Sequence, residues 1–166
     1  MPAAKAGKPL SLKMRAIALL AQRDQSVVEM RRKLLRIAGQ NAIGEAGEAE
    51  PAPDAQHEVE ALLTWLQAEG YLSEQRFVES RIQARAQRYG MLRIRQELAE
   101  HGLSLDADAQ AELRLSEYER ARAVWSRKFG PEAPQQAADR AKQTRFLAAR
   151  GFGADVIRRV LHGLDE

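Results

Sequence analysis

The chain has 166 residues and a net charge of +3; 45% of the residues are apolar, 30% are charged and only 5% are aromatic. This size allows one domain or a short array of similar units, and the composition favours many short helices with small cores over one large core. The absence of cysteine excludes disulfides and thiolate metal sites, and no apolar run suits a signal peptide or reaches the roughly 18–20 residues of a membrane span, so we expect a soluble, cytoplasmic protein.

Start and stop signals predict helices along nearly the whole chain. No segment shows sustained alternation of apolar and polar residues, so we expect an all-α fold without a sheet. The predicted helices, with their caps, span residues 11–23, 26–39, 55–69, 73–89, 91–101, 106–113, 116–129, 134–150 and 154–162. Residues 40–54 are rich in Gly, Pro and acidic side chains and are predicted to form a mobile loop.

Several of these helix starts rest on specific residues. Ser26 with Glu29, and Ser116 with Glu119, match the capping box, in which the two side chains satisfy free backbone N–H groups reciprocally. Pro134 suits the first position of a helix, where its missing N–H costs nothing. We therefore expect separate helices to begin at Ser26, Ser116 and Pro134.

One helix ending recurs three times, as a basic-rich turn, a Leu and then a Gly four residues later. The glycines are Gly39, Gly102 and Gly151, and the leucines are Leu35, Leu98 and Leu147. Once the acidic loop is set aside, the spacing is about 48 residues, which predicts three tandem three-helix, helix-turn-helix-like repeats in an elongated, curved array. The expected organisation is a flexible segment 1–10, repeat 1 over 11–72 (with the acidic mobile loop 40–54), repeat 2 over 73–115 and repeat 3 over 116–163.

No set of residues suggests catalysis. The three histidines, His57, His101 and His162, stand apart near predicted helix ends, and the serines at helix starts are accounted for as caps. The "GFG" of residues 151–153 lacks the preceding strand and the third glycine of a dinucleotide-binding loop. We expect a protein that is not an enzyme and that has no cofactor and no metal site.

Positive charge is concentrated in three groups that recur at corresponding places in the predicted repeats, and 20 of the 26 cationic residues are Arg. In the fourth predicted helix, Val78, Ile82, Ala86 and Tyr89 form the expected buried stripe, while arginines occupy another face. The groups are Arg31/Arg32/Lys33/Arg36, then Arg81/Arg85/Arg88 continuing into Arg93/Arg95, and then Lys142/Arg145/Arg150/Arg158/Arg159. These faces are either simply solvated or form a surface for a polyanion, and their repetition favours the second interpretation.

The ordered segments resemble the RecX family of bacterial recombinase regulators. The resemblance rests on "AIALLAQRDQSVVEMRRKL" (16–34), "VEALLTWLQAEGYLSEQRFVES" (59–80), "GMLRIRQELAEHGL" (90–103) and "KQTRFLAARGFGADVIRRVL" (142–161). It covers about residues 12–162, with the 40–54 loop unmatched, and its most recognisable part is the "GYL...RF" pattern around Gly70 and Phe77.

The resemblance implies a regulator of the RecA recombinase, and we expect this protein to be a monomer. Such a protein would bind along the groove of the RecA–single-stranded-DNA filament, inhibit its growth, ATP hydrolysis and strand exchange, and modulate DNA repair and the SOS response. Double-stranded DNA remains open as a further partner, and no membrane is expected. The arginine-rich groups are the predicted contacts with RecA or DNA.

Two other interpretations remain open at this stage. Short helix pairs joined by Gly turns also fit a helix-turn-helix-like protein that binds DNA directly, without RecA, and with strong salt dependence. A plain helical adaptor, whose arginines serve solvation alone, would affect neither DNA nor the recombinase.

Overall fold

The computed structural model describes residues 10–42 and 53–163, and over those residues the chain forms α-helices and no strand, which confirms the predicted all-α class. The helices are α1 (Leu12–Gln22), α2 (Val27–Ala42), α3 (Pro53–Ala68), α4 (Glu74–Arg85), α5 (Met91–Ala99), α6 (Ala107–Phe129), α7 (Ala137–Ala149) and α8 (Ala154–His162). Most of the predicted flexible segment 1–10 and of the predicted loop 40–54 lies outside the described residues.

The chain divides into two compact units between Phe77 and Val78, within α4. In the first unit, α2 packs against both α1 and α3. Its core is made of aliphatic side chains that are fully or almost fully buried: Ala16, Met30, Leu34, Val59, Leu63, Leu66 and Leu72. The stripe of Val59, Leu63 and Leu66 on α3 is the face that the sequence predicts to be apolar, so the helical period alone places this core.

Polar side chains join α1 to α2 in this unit. Ser26 accepts a hydrogen bond from the Glu29 N–H at 3.1 Å, which confirms it as an N-cap. Buried Gln25 donates to the Leu19 carbonyl oxygen and accepts from Lys33 Nζ at 2.7 Å. Burial of the Glu29 carboxylate raises its pKa, but hydrogen bonds from Arg23 and Lys33 outweigh that effect and lower the pKa to about 2. Glu29 is therefore ionised and paired at neutral pH.

The predicted end of α2 at Gly39 is wrong. The helix continues through Gly39 to Ala42, and Gly39 is not among the glycines with positive φ. Leu34, not Leu35, is the fully buried residue at this end of the helix. The Leu–Gly pattern occurs in this unit at the end of α3, where Gly70 has φ +78° and Leu66 lies four residues earlier.

In the second unit, α8 packs against α6 and α7, and α6 also packs against α5. The core contains Ala121, Val124, Trp125, Leu147, Phe152, Ile157, Val160 and Leu161. Buried Trp125 donates its indole N–H to Gln143 Oε1 at 2.7 Å, so its polar group is satisfied inside the core. Gly102 and Gly151 have positive φ and follow helix ends as predicted, with Leu98 and Leu147 fully buried.

The two helices predicted over 106–113 and 116–129 are a single helix, α6. Asp106 caps it as expected, but Ser116 lies in its interior and donates its hydroxyl to the carbonyl oxygens of Glu112 and Leu113. A serine that bonds back to its own helix does not end it, and no Gly or Pro separates the two predicted segments. The predicted boundary between repeats 2 and 3, at 115/116, therefore falls inside a continuous helix.

Two other helix boundaries differ from the prediction. The fourth helix ends at Arg85 instead of Tyr89, because residues 86–89 form a turn whose Ala86 and Tyr89 carbonyl oxygens accept from Arg120. Helix α7 begins at Ala137 instead of Pro134, and Pro134 is buried in the connection before it.

The start of α5 meets the end of α7 through direct backbone contact. The N–H groups of Gly90 and Leu92 donate to the carbonyl oxygens of Arg150 and Gly151, at 2.8 and 3.1 Å. A Cβ on Gly90 would lie 2.2 Å from the Gly151 oxygen, and a Cβ on Gly151 would lie 2.4 Å from Arg93. Free N–H groups of one helix thus pair with free carbonyl groups of another, and only glycine permits this approach.

Two side chains of α6 complete this junction. Glu117, which is buried, accepts a hydrogen bond from the Met91 N–H at 3.2 Å, so a carboxylate lies at the N-terminus of α5. Arg120 donates to the Ala86, Tyr89 and Leu113 carbonyl oxygens at 2.7–3.0 Å. Burial lowers the pKa of Arg120 by more than the nearby Glu117 charge raises it, so the pKa lies below its usual value. The turn between α4 and α5 is therefore held on one side by α6 and on the other by α7.

Gly90→Ala is expected to destabilise the protein by about 3 kcal/mol, because the new methyl group meets backbone that cannot move without separating α5 from α7. Gly39→Ala is the matched control: nothing lies within 4 Å of its Cβ position and it is helical, so we expect a gain of about 0.5–1 kcal/mol. Urea unfolding of both variants measures the free energies. Equal effects of the two substitutions would contradict the close approach.

Candidate functional site

The arginines predicted from the α4–α5 region do not form one uniform surface. Arg81, Arg85 and Arg93 all converge on the carboxylate of Glu97, with N–O distances of 4.0, 3.0 and 3.3 Å. The Glu97 side chain is only 15% exposed. These four residues are called the Glu97 cluster below. Its single carboxylate offsets part of the positive charge that the sequence assigns to a polyanion surface.

The pairing within the Glu97 cluster is imperfect. Arg85 Nε and Glu97 Oε2 are 3.0 Å apart and buried, yet neither atom has a hydrogen-bond partner among the described residues, because their alignment is poor. The interaction is thus mainly one of charge. A shallow cleft of about 320 Å³ lies over the cluster and is also lined by Glu100 and His101.

Tyr89 is a second centre of convergence. The guanidinium carbons of Arg85, Arg93 and Arg150 lie 5.5, 5.4 and 5.7 Å from the centre of its ring, within the range of cation–π attraction. The ring is half-buried, as are the side chains of Val78, Ile82 and Ala86, so the predicted buried stripe of α4 is only partly correct. Phe77 is the buried residue of that helix.

A cleft of about 270 Å³ opens beside Tyr89 within the second unit. This basic cleft is lined by Arg88, Tyr89, Val124, Arg127, Lys128, Phe146 and Arg150. Four of these residues are cationic, two are aromatic and none is acidic. The combination of unneutralised cations with aromatic rings is typical of surfaces that bind nucleic acid.

Arg150 organises the basic cleft. Its Nη1 donates to the Arg88 carbonyl oxygen at 3.2 Å, which fixes the side chain across the turn between α4 and α5. Its guanidinium lies 4.8 Å from the centre of the Phe146 ring and 5.7 Å from that of Tyr89. Phe146 in turn packs edge-on against Phe129 at 5.1 Å between ring centres. The position of Arg150 is thus set by two rings and one backbone acceptor.

The other predicted site residues lie elsewhere on the two units. In the first unit, Arg31 pairs with Glu60 at 2.5 Å and Lys33 pairs with Glu29 at 3.1 Å, whereas Arg32 and Arg36 are exposed. The remaining predicted site residues are in the second unit. Arg95, Lys142 and Arg145 are exposed there, Arg158 pairs with Asp155, and Arg159 lies over the Tyr118 ring at 4.6 Å.

Of the predicted site residues, the structure brings Arg88 and Arg150 together in the basic cleft and Arg81, Arg85 and Arg93 together in the Glu97 cluster. Sequence reasoning missed the contributions of Arg127, Lys128 and Phe146 to the cleft. Arg127 and Lys128 lie in the last turn of α6, where cations also complement the helix dipole. Their position in the sequence therefore did not indicate a binding role.

In the part of the chain that the structure describes, no group of three or more His, Cys, Asp or Glu side chains is placed to hold a metal ion. None of the helices described is long and apolar enough to cross a membrane.

The chain is similar to known proteins over most of its length. The family pattern described as RecX, second three-helix domain, matches residues 73–111, and that of the RecX third three-helix domain matches residues 116–161. A protein of Ralstonia nicotianae named Regulatory protein RecX is 45% identical over 95% of this chain and 91% of its own length. Proteins of the same name are 46% identical in Leptothrix cholodnii (95% and 91% covered) and 41% identical in Pseudomonas putida (95% and 93%).

Glu97→Gln is expected to strengthen binding to a polyanion, because three guanidinium groups lose their shared carboxylate. With heparin as the probe, the dependence of log affinity on log salt concentration should steepen by roughly 1–2. The measurement is heparin affinity at several salt concentrations.

Glu100→Gln is the matched control for this substitution. Glu100 is exposed, lines the same shallow cleft and makes no ion pair among the described residues. It changes the net charge equally, so an equal change in salt dependence would show that Glu97 has no special role.

Proposed function

This chain belongs to the RecX family, and on that premise we propose that it regulates the RecA recombinase by binding the RecA–single-stranded-DNA filament. In this role it inhibits filament growth, ATP hydrolysis and strand exchange, and so modulates DNA repair and the SOS response. It acts without catalysis of its own, in the cytoplasm, as a monomer.

The observation that carries this proposal is the similarity to regulatory proteins named RecX over nearly the full length of both chains. The basic cleft supports it independently. Its four cations lie on one side of the second unit without an acidic residue among them, which suits contact with a phosphate-bearing partner.

The distribution of charge also suits a protein that acts on a filament instead of on free DNA. The net charge is only +3, and three of the predicted contact arginines share Glu97. Non-specific DNA affinity grows with the number of phosphates that a protein neutralises, so this arrangement keeps binding to bare DNA modest. Affinity for a filament arises when several modest contacts, to protein and to DNA, engage together.

The alternative proposal is a helix-turn-helix-like protein that binds DNA directly and acts without RecA. The unneutralised cations of the basic cleft favour it. Under this alternative, any effect on recombination follows from occupation of DNA alone. The affinity for DNA should then depend strongly on salt concentration, as phosphate contacts do.

The test is the rate of ATP hydrolysis by RecA assembled on single-stranded DNA, with this protein titrated from zero to equimolar with RecA. We expect a progressive loss of turnover that begins well below equimolarity, because one bound molecule at a growing end stops the addition of many protomers.

Lengthening the DNA at fixed concentrations of nucleotide, RecA and inhibitor separates the two proposals. Inhibition by sequestration of DNA depends on the ratio of inhibitor to nucleotide and should not change, whereas inhibition at filament ends should become stronger because there are fewer ends. Unchanged ATP hydrolysis, together with a mobility shift of bare DNA, would contradict regulation of the filament and favour the alternative.

A further inference from the structure

We propose that the basic cleft is a binding site for single-stranded nucleic acid, in which the cations hold a backbone phosphate and an aromatic ring supports a base. This inference deepens the proposed function, because it assigns the DNA component of the filament, and not the recombinase, to a particular set of side chains. It applies to the second unit by itself, which contains every residue that lines the cleft.

The basic cleft carries a concentration of positive charge. Arg88, Arg127, Lys128 and Arg150 give the basic cleft four positive charges with no acidic residue in its lining. The cleft over the Glu97 cluster, of similar volume, includes both Glu97 and Glu100. Of these two clefts, therefore, only the basic cleft has positive charge that no carboxylate in its lining offsets.

The guanidinium of Arg150 has unused hydrogen-bond donors among the described residues. An arginine side chain has five N–H donors, and the only side-chain hydrogen bond of Arg150 among the described residues is the one to the Arg88 carbonyl oxygen. The guanidinium is nevertheless held in place by that bond and by the rings of Tyr89 and Phe146. A fixed guanidinium with spare donors binds phosphate without a large loss of side-chain entropy.

The aromatic rings favour a single strand over a duplex. Tyr89 and Phe146 both line the basic cleft. Bases of a single strand expose their faces and stack on aromatic rings or on guanidinium planes, whereas bases of a duplex are already stacked on one another. The volume of about 270 Å³ lies just below the usual range for ligand pockets and suits one nucleotide, not the broad surface of a double helix.

The same features argue against an acidic peptide as the occupant. A carboxylate-rich segment needs cations but gains little from two aromatic rings beside them, whereas a nucleotide uses both. The cleft therefore matches the chemistry of a phosphate joined to a flat base.

The experiment measures binding of the purified full-length protein to a fluorescein-labelled oligothymidylate by fluorescence anisotropy, with no recombinase present. The double substitution Arg127→Ala, Lys128→Ala is expected to weaken binding at least about tenfold and to reduce the salt slope by roughly 1.4, the value for two phosphate contacts on a single strand. Arg122→Ala is a control that removes one charge instead of two: Arg122 is an exposed arginine of the same helix that does not line the cleft, and its loss should leave the affinity within about twofold.

A second variant tests the role of the ring. Tyr89→Leu keeps an apolar side chain beside the arginines and should selectively reduce the preference for oligothymidylate over a duplex of equal length. Circular dichroism of each variant establishes that the helices are intact, so that a loss of binding is not a loss of folding.

Three results would overturn the inference: no binding of the oligothymidylate by the unmodified protein, equal losses from the cleft variant and from Arg122→Ala, or displacement of the oligothymidylate by polyglutamate as readily as by unlabelled strand. Because no recombinase is present, these results are distinct from failure of the proposed function. If the cleft variant still inhibited RecA, the proposed regulation would stand, but the inference that regulation uses a DNA contact in the basic cleft would be overturned.

Discussion

The backbone contact between Gly90 and Gly151 is the constraint on which the second unit depends. It joins the N-terminus of α5 to the C-terminus of α7, so that two sets of helix-end groups satisfy each other. Glu117 and Arg120, from α6, hold the same turn from the other side. These hydrogen bonds join a segment matched by the second three-helix domain of the family to a segment matched by the third. The two domains are therefore packed against each other and are not merely consecutive in the chain.

That junction also determines which arginines are available to a partner. The turn after α4 carries Arg88 and Tyr89 toward the end of α7, where Arg150 bonds to the Arg88 carbonyl oxygen. Arg93, in the first turn of α5, instead reaches Glu97. Neighbouring cations in the sequence therefore have different environments, one set sharing a carboxylate and the other lining a cleft without one.

Much of the fold could be predicted from local sequence, because caps and helical periods act over a few residues. Ser26, Asp106 and Gly102 behave as their patterns indicate. The failures at Gly39 and Ser116 share a cause: each residue type tolerates the helix interior, and neither neighbouring sequence demands that the helix stop. A local signal permits a helix end, but tertiary contacts decide whether one forms.

The candidate site was less predictable, since it depends on long-range pairing. The sequence identified Arg88 and Arg150 as cations of interest but gave no sign that they meet, 62 residues apart in the chain. It also gave no sign that Glu97 would collect three arginines, or that Arg127 at the end of α6 would face the same cleft as Phe146.

The most direct test of the account is site-specific photocrosslinking within the assembled filament. A benzophenone amino acid replaces Arg127, in the basic cleft, or Arg122, outside it, and each protein is irradiated with RecA and end-labelled single-stranded DNA. The account predicts transfer of label from position 127 and little from position 122. Crosslinks from position 127 to RecA alone, or equal labelling from both positions, would contradict it.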